Sequence, residues 1–389
     1  MKNILYIVST LTNSGPINQL YNLIKYLDRN TYRPFIVTLS HETENSVRDE
    51  FEKIDVCLYS LNLSRIIGFL IAQKKIEHLI DEIKPIIIHS QGIRGDIISS
   101  KIKKIVPKIT TVHNMLQLDY TMTYGKLIGI MMYIRHSKSF INMSLCIGVS
   151  GAVGDNLKRK FNVSSNITIY NGVNTDSFYT NSILNKEGTK YCYLISIEEK
   201  ILLRKKLNLP INDKIWITSG SLTSRKDPLF LINNWIKIQK IKDVEHLVLI
   251  GDGVIKERCK NIAMGSDSIH IIGHVNNVAD YLCAADYYVS SSQAEGFPLA
   301  VLEAMACGLP VLLSDIGPHK EIMTLAPEAG LLYKLKNESD FTESLNKMMQ
   351  ADKNKMSVAS LEVIKNTLNA RTMSEKYQKV YNLIINNRM

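Results

Sequence analysis

The chain has 389 residues, 45% hydrophobic and 22% charged, and no apolar run near the roughly 20 residues of a membrane span. These figures exclude a disordered chain and a helical membrane protein, and the length predicts two domains. The formal charge of +10 is uneven, with 21 basic against 13 acidic residues in 1–175 and 26 against 24 in 176–389. A basic N-terminal half calls for an acidic partner. With no aromatic-studded basic motif, an anionic membrane surface or lipid phosphate fits better than nucleic acid. Cys57, Cys146, Cys192, Cys259, Cys283 and Cys307 are scattered without metal-ligand spacing, so reduced thiols and no metal site are predicted. Met1-Lys2-Asn3 and the short apolar run Ile4–Val8 are too brief for a secretory core, which predicts a cytoplasmic protein.

Ile4 to Ser9 reads as a buried strand, followed by the loop Thr10–Pro16 and an amphipathic helix from Ile17 to Leu27. Strand, glycine-containing turn and helix open a doubly wound α/β domain, and Gly15 would let the backbone approach a ligand. The alternation continues with a strand at 33–40, a helix at about 44–53, a strand at 56–58, a helix at about 65–82 and a strand at 86–89. A helix from about Asp96 and a strand from Lys108 to His113 follow. His113 stands at the C-terminal end of a parallel strand, where such sheets build sites, although a histidine there can also be merely satisfied. Residues 120–143 are apolar, aromatic and basic together. They read either as a helix that dips into lipid headgroups or as an ordinary helix with a core stripe. Cys146–Ser150 is a strand, a helix starts at Gly151, and Ile167 to Asn174 is a strand ending in a turn.

Residues 175–195 are polar and irregular and mark a linker. Beyond it the pattern repeats: a helix at 199–207, a strand at 214–219, then the loop Gly220 to Pro228. Arg225 and Lys226 there are either two cations aimed at a diphosphate or an exposed basic pair. A strand at 246–250 ends in Gly251-Asp252-Gly253, and a strand at 269–273 is followed by His274-Val275. A short helix at 278–285 and a strand at 287–291 lead to the stretch that organises the second half, Gln293 to Ser314. There Phe297-Pro298 opens a helix over Leu299–Cys307, Gly308 stops it, and Val311–Ser314 is a buried strand. The N–H groups at the front of that helix, those of Phe297 and Leu299 among them, form an anion site. Glu295 precedes the helix and Glu303 faces inward two turns later. Carboxylates beside a phosphate site make sense when they meet hydroxyls, so a nucleotide diphosphate sugar satisfies all three features. Helices at about 338–350, 352–368 and 373–385 close the chain.

The run E-G-F-P-L-A-V-L-E-A-M-A-C-G-L-P-V, with seven residues between Glu295 and Glu303, resembles the donor-site signature of the retaining glycosyltransferases of family four. The resemblance implies a GT-B fold, two Rossmann-like doubly wound domains facing across a cleft: 1–175 on the acceptor side, joined by a C-terminal helix at 373–389, and 190–372 on the donor side. It further implies that Arg225 and Lys226 neutralise the leaving diphosphate, that Glu295 and His113 bind the donor sugar, and that Glu303 holds the ribose hydroxyls. The remaining donor contacts would come from Gly15, Asn171, Gly220, Gly251 and Val275, and from Gly296, Phe297, Pro298 and Leu299. The sequence departs from the family pattern at Ser14, Asn174 and Ser221. With no Asp-x-Asp motif, no metal or other cofactor is expected.

The implied reaction moves a sugar from a UDP-hexose or UDP-N-acetylhexosamine to a hydroxyl of a polyprenyl-diphosphate-linked saccharide, with retention, in O-antigen or capsule synthesis. GDP is the competing nucleotide. A protein at the inner face of the cytoplasmic membrane suits the basic N-terminal half. Two other classes remain open: a UDP-sugar 2-epimerase of the same fold, and a catalytically silent nucleotide-sugar binder.

Overall fold

The computed structural model describes residues 1–161, 163, 165–177, 196–239 and 245–386. Most of the predicted linker, Cys192 and the last three residues lie outside them. Two compact units form, Met1–Gly172 with Ala370–Met389 and Val173–Asn369.

Unit 1 runs β1 (Lys2–Val8), α1 (Gly15–Lys25), β2 (Tyr32–Thr38), α2 (Arg48–Glu52), β3 (Cys57–Ser60), α3 (Arg65–Ile83) and β4 (Ile87–Gln91). It continues with α4 (Gly92–Lys101), β5 (Lys108–Val112), α5 (Leu116–Tyr124), α6 (Lys126–Ser139), β6 (Leu145–Gly148), α7 (Gly151–Phe161) and β7 (Asn166–Thr168). The sheet order is β3-β2-β1-β4-β5-β6-β7, with every pair parallel. Ile4, Leu5, Tyr6 and Ile7 of β1 are all fully buried, as a central parallel strand covered on both faces requires. The strand order turns back between β1 and β4, and sheets of this kind leave a crevice at the carboxyl ends of such a pair.

Unit 2 runs α8 (Ile197–Lys206), β8 (Lys214–Ser219), α9 (Pro228–Gln239), β9 (Glu245–Ile250), α10 (Lys256–Ala263), β10 (Ile269–Gly273) and α11 (Val278–Ala284). Then come β11 (Tyr287–Ser290), α12 (Leu299–Ala306), β12 (Val311–Ser314), α13 (Gly317–Leu325), β13 (Gly330–Tyr333), α14 (Glu338–Gln350) and α15 (Lys353–Asn366). Its parallel sheet has the order β10-β9-β8-β11-β12-β13, so its turning point lies between β8 and β11. Trp216 stacks on Tyr287 at 4.4 Å in the core beneath. The last helix, α16 (Ala370–Asn386), belongs to unit 1, where Met373, Tyr377 and Tyr381 join the core against α1. Both units are therefore Rossmann-like.

Three local readings change. The helix expected at 44–53 is only Arg48–Glu52. The single helix expected within 120–143 is broken at Gly125, which adopts φ +81°, and Gly129 packs so tightly on the Thr121 backbone that a Cβ there would come within 2.6 Å. The apolar stripe of this hairpin is largely outside the core, with Leu127 79% and Met131 61% exposed. Finally, α9, α13 and β13 are present without having been expected.

Candidate active site

The turning point of unit 2 gathers residues from two loops. The loop after β8 carries Arg225 and Lys226, and the loop after β11 carries Glu295. Several bonds lace them together. Gln293 N–H donates to the Arg225 carbonyl at 2.8 Å, Gln293 Nε2 to Asp227 Oδ2 at 2.8 Å, and Ser291 Oγ to the carbonyls of Lys226 and Asp227. Glu295, 6% exposed, takes Lys226 Nζ on Oε1 at 2.6 Å and Arg225 NH1 on Oε2 at 2.9 Å. Arg225 NH1 also donates to the Ala294 carbonyl. Burial alone would raise the Glu295 pKa, but Lys226 and Arg225 outweigh it and hold the carboxyl at about 2. Two cations against one carboxylate leave the cluster with a net positive charge.

Glycines let the backbone cross here. Gly251 has φ +135°, and a Cβ on it would lie 1.9 Å from the Gly220 carbonyl oxygen. Gly220, with φ +133°, faces Lys226, whose Nζ would be 3.6 Å from a Cβ there. These two glycines bring the ends of β8 and β9 together and leave room for the Lys226 ammonium.

Helix α12 begins behind Glu295. Among the described residues no side chain caps it at Pro298, and the Val301 N–H bonds to the Pro298 carbonyl. The N–H groups of Leu299 and Ala300 thus precede the first intrahelical bond, at the positive end of the helix dipole. Phe297 is buried at 3% and anchors the turn, with Gly296 and Pro298 also buried. Glu303 is half-buried one turn on; desolvation pushes its carboxyl up to about 7, against a smaller lowering by Lys226. Val275, half-buried, stands in the loop after β10. Among the described residues no three His, Cys, Asp or Glu side chains converge as metal ligands.

Gly15, His113 and Asn171 belong to unit 1. Gly15 is exposed at the start of α1, with nothing within 4 Å of a Cβ there, and Asn171 is buried at 5%. His113 lines a cavity of about 300 Å³ at the carboxyl ends of β1, β4 and β5, together with Thr10, Gln91, Asp119, Tyr120 and His136. Its Nε2 bonds to Gln91 Oε1 at 3.1 Å, Gln91 Nε2 donates to Gln19 Oε1 at 3.1 Å, and Gln19 Nε2 donates to Tyr377 Oη at 3.1 Å. Because Gln91 Oε1 can only accept, this chain puts the His113 proton on Nε2 and leaves Nδ1 an acceptor. Burial lowers the His113 pKa to about 4, so the ring is neutral at pH 7.

Sequence reasoning missed two groups. His319, on α13, is fully buried, donates from Nδ1 to the Ser314 carbonyl at 2.8 Å, and has a pKa of about 4 from burial. The second is the buried trio Asp96, His136 and Tyr120 beneath the unit 1 cavity. Neither was signalled in the sequence: His319 and His136 sit beside charged neighbours, in Pro318-His319-Lys320 and Arg135-His136-Ser137, and read as surface positions.

Known proteins resemble the chain in sequence and in fold. A family model described as Glycosyltransferase Family 4 matches residues 14–177, and one described as Glycosyl transferases group 1 matches residues 199–360. The chain is 25% identical over 392 residues to the O-antigen biosynthesis glycosyltransferase WclY of Escherichia coli, covering 97% of this chain and 98% of that one. It is 26% identical over 196 residues, half of each chain, to an N,N'-diacetylbacillosaminyl-diphospho-undecaprenol alpha-1,3-N-acetylgalactosaminyltransferase of Campylobacter jejuni. The Anabaena protein Alr3699/HepE, solved with UDP and glucose, superposes with a TM-score of 0.78 at 16% identity over 98% of this chain and all of that one, a likeness of fold.

Proposed function

The chain belongs to the GT-B glycosyltransferases of surface-polysaccharide type, and we propose that it transfers a hexose or N-acetylhexosamine from its UDP derivative to a hydroxyl of a polyprenyl-diphosphate-linked saccharide. The observation that carries this reading is the cluster of Arg225, Lys226 and Glu295 at the turning point of the unit 2 sheet, in front of the uncapped start of α12. A diphosphate leaving from an anomeric carbon develops negative charge, and fixed cations and N–H dipoles lower the barrier by stabilising it there. Arg225, Lys226 and the N–H groups of Leu299 and Ala300 serve that purpose without a cofactor. Glu295, held charged, accepts from sugar hydroxyls, and Glu303 accepts from the ribose. The neutral His113, with Nδ1 as an acceptor, suits a sugar hydroxyl. The groups that set the charge of Glu295 are Lys226 and Arg225 rather than a second carboxylate of the kind a hydrolase pair requires, and transfer with retention is the outcome we assign.

UDP as the nucleotide is favoured by the structural neighbour that holds UDP, and the lipid-linked acceptor by the Campylobacter relative named for a diphospho-undecaprenol substrate. The exposed apolar face of α5 and α6, with Leu118, Leu127, Ile128, Met131 and Ile134 beside Lys126 and Arg135, supports attachment to an anionic membrane surface. Among the described residues no helix is long and apolar enough to cross a membrane. The test is UDP release from a panel of UDP-sugars, with and without a membrane extract supplying undecaprenyl-diphosphate-linked saccharides. Release that needs both one sugar and the extract is expected. UDP binding with no release under either condition removes the transferase reading.

A further inference from the structure

The unit 1 cavity has a polar chain in its wall that the donor chemistry above does not use. Asp96, on α4, is fully buried; its Oδ1 accepts from Ser90 Oγ at 2.6 Å and Thr110 Oγ1 at 2.7 Å. Its Oδ2 lies 2.7 Å from His136 Nε2, on α6. His136 Nδ1 in turn lies 2.7 Å from the hydroxyl of Tyr120, on α5. His136 is 2% and Tyr120 8% exposed, and both line the cavity.

The protons in this chain are nearly fixed. A carboxylate only accepts, so His136 Nε2 carries a hydrogen toward Asp96. With the ring neutral, Nδ1 accepts the Tyr120 hydrogen, and the phenol oxygen has lone pairs but no proton to offer the cavity. With the ring protonated, Nδ1–H donates to the phenol oxygen and the Tyr120 hydrogen is free. All four bonds survive in both states, so the chain can take up one proton through Tyr120 without breaking a contact. The buried Asp96 carboxylate, already fixed by two hydroxyls, stabilises the imidazolium that results. Burial and the Asp96 charge hold the Tyr120 phenol well above its ordinary range, so it relays a proton rather than standing ionised.

We propose that Tyr120 binds the attacking hydroxyl of the acceptor saccharide and that His136, backed by Asp96, receives its proton. This rests on the transferase reading above. The acceptor oxygen forms its bond to the donor's anomeric carbon while the bond from that carbon to the diphosphate breaks. The acceptor proton passes to the Tyr120 oxygen as the Tyr120 proton passes to His136 Nδ1, and the imidazolium later returns it through Tyr120 to the departing diphosphate or to water. Tyr120 is the residue that touches substrate; His136 and Asp96 act through it as positioning residues.

The test uses the full chain with Tyr120→Phe, which keeps the ring against Tyr124 and His136. UDP release is measured from the active UDP-sugar with and without the membrane extract of lipid-linked saccharides. Positioned proton transfer contributes about 10²–10⁴-fold, so extract-dependent kcat is expected to fall by about 10²-fold, with the KM for the UDP-sugar and the directly measured affinity for UDP within twofold of wild type. His136→Gln keeps a donor toward Asp96 but removes the base; it should match Tyr120→Phe, and the double variant should fall no further than either. Extract-dependent turnover within threefold of wild type in either single variant overturns the proposal. So does a parallel loss of UDP affinity and turnover, which marks a merely structural chain. A wild-type protein that releases no UDP under any condition fails the transferase reading itself, a separate result.

Discussion

Replacing Glu303 with glutamine separates the energetic cost of this carboxyl from its use. Desolvation raises its pKa from 4.5 to about 7 in the folded chain. A shift of that size corresponds to about 3 kcal/mol between the two protonation states. The raised value means that the folded state holds the proton more tightly than the unfolded one. The associated stability is fully present below the unfolded value near 4.5 and is lost as pH rises through about 7. The amide of the Glu303→Gln variant does not titrate, so wild type should lose about 3 kcal/mol relative to that variant between about pH 4.5 and 8.5. The difference cancels every other titrating group. Trp216 and Trp235, the two tryptophans of the chain, are both buried in unit 2, so urea unfolding followed by their fluorescence reads the unit that holds Glu303. A stability difference flat to within about 0.5 kcal/mol across that range refutes the argument that the carboxyl is desolvated. UDP affinity supplies the functional half, since the charged carboxylate accepts on two oxygens where the amide accepts on one: wild-type affinity should rise with pH through about 7, and that of Glu303→Gln should be weaker and flat.

Lys226→Ala should lower kcat by about 10²-fold with a smaller change in UDP-sugar KM, as loss of one transition-state charge contact does; unchanged steady-state kinetics would remove it from the reacting site. Gly251→Ala should destabilise unit 2 by about 3 kcal/mol through the clash with the Gly220 carbonyl and a φ that L-residues rarely adopt, read by the same tryptophan unfolding; wild-type stability in that variant contradicts the close crossing. Leu127→Asp with Met131→Asp should reduce sedimentation with phosphatidylglycerol vesicles by about 10-fold or more, each side chain forgoing roughly 1.5–3 kcal/mol of burial, while circular dichroism stays unchanged; undiminished sedimentation sinks the membrane face.

Much of this architecture is legible in the chain because its strands are short apolar runs between turn residues. Lys214–Ser219, Ile269–Gly273 and Val311–Ser314 have the bounds their patterns predict. The break at Gly125 is not legible, since apolar residues continue on both sides and a positive φ alone ends α5. Helix α13 begins at Gly317-Pro318, a pair that reads as loop, although proline is at home in a first helical turn. Contacts between distant residues are the least visible. Arg225 and Glu295 are 70 positions apart and meet because β8 and β11 are sheet neighbours. Asp96 and His136 are 40 positions apart, and their meeting depends on the helical hairpin that Gly125 creates.

Glu295 and Glu303 show why the motif alone understates the chemistry. Although they stand close in the chain, one carboxyl is held at about 2 and the other pushed to about 7. The difference is set by Lys226 and Arg225, which reach Glu295 directly, whereas Glu303 feels Lys226 only weakly. Environments that drive two carboxyls apart assign them different work. Glu295 stays an acceptor across the physiological range, and it also neutralises one of the two cations beside it. The cluster therefore offers a diphosphate a single net positive charge, and the start of α12 adds roughly half a charge more. That sum is smaller than the charge of a departing nucleoside diphosphate. Removing Lys226 cancels the cluster's surplus altogether and leaves Arg225 committed to a buried carboxylate. The loss should therefore be felt most where the leaving charge is greatest, in the transition state rather than in binding the intact donor.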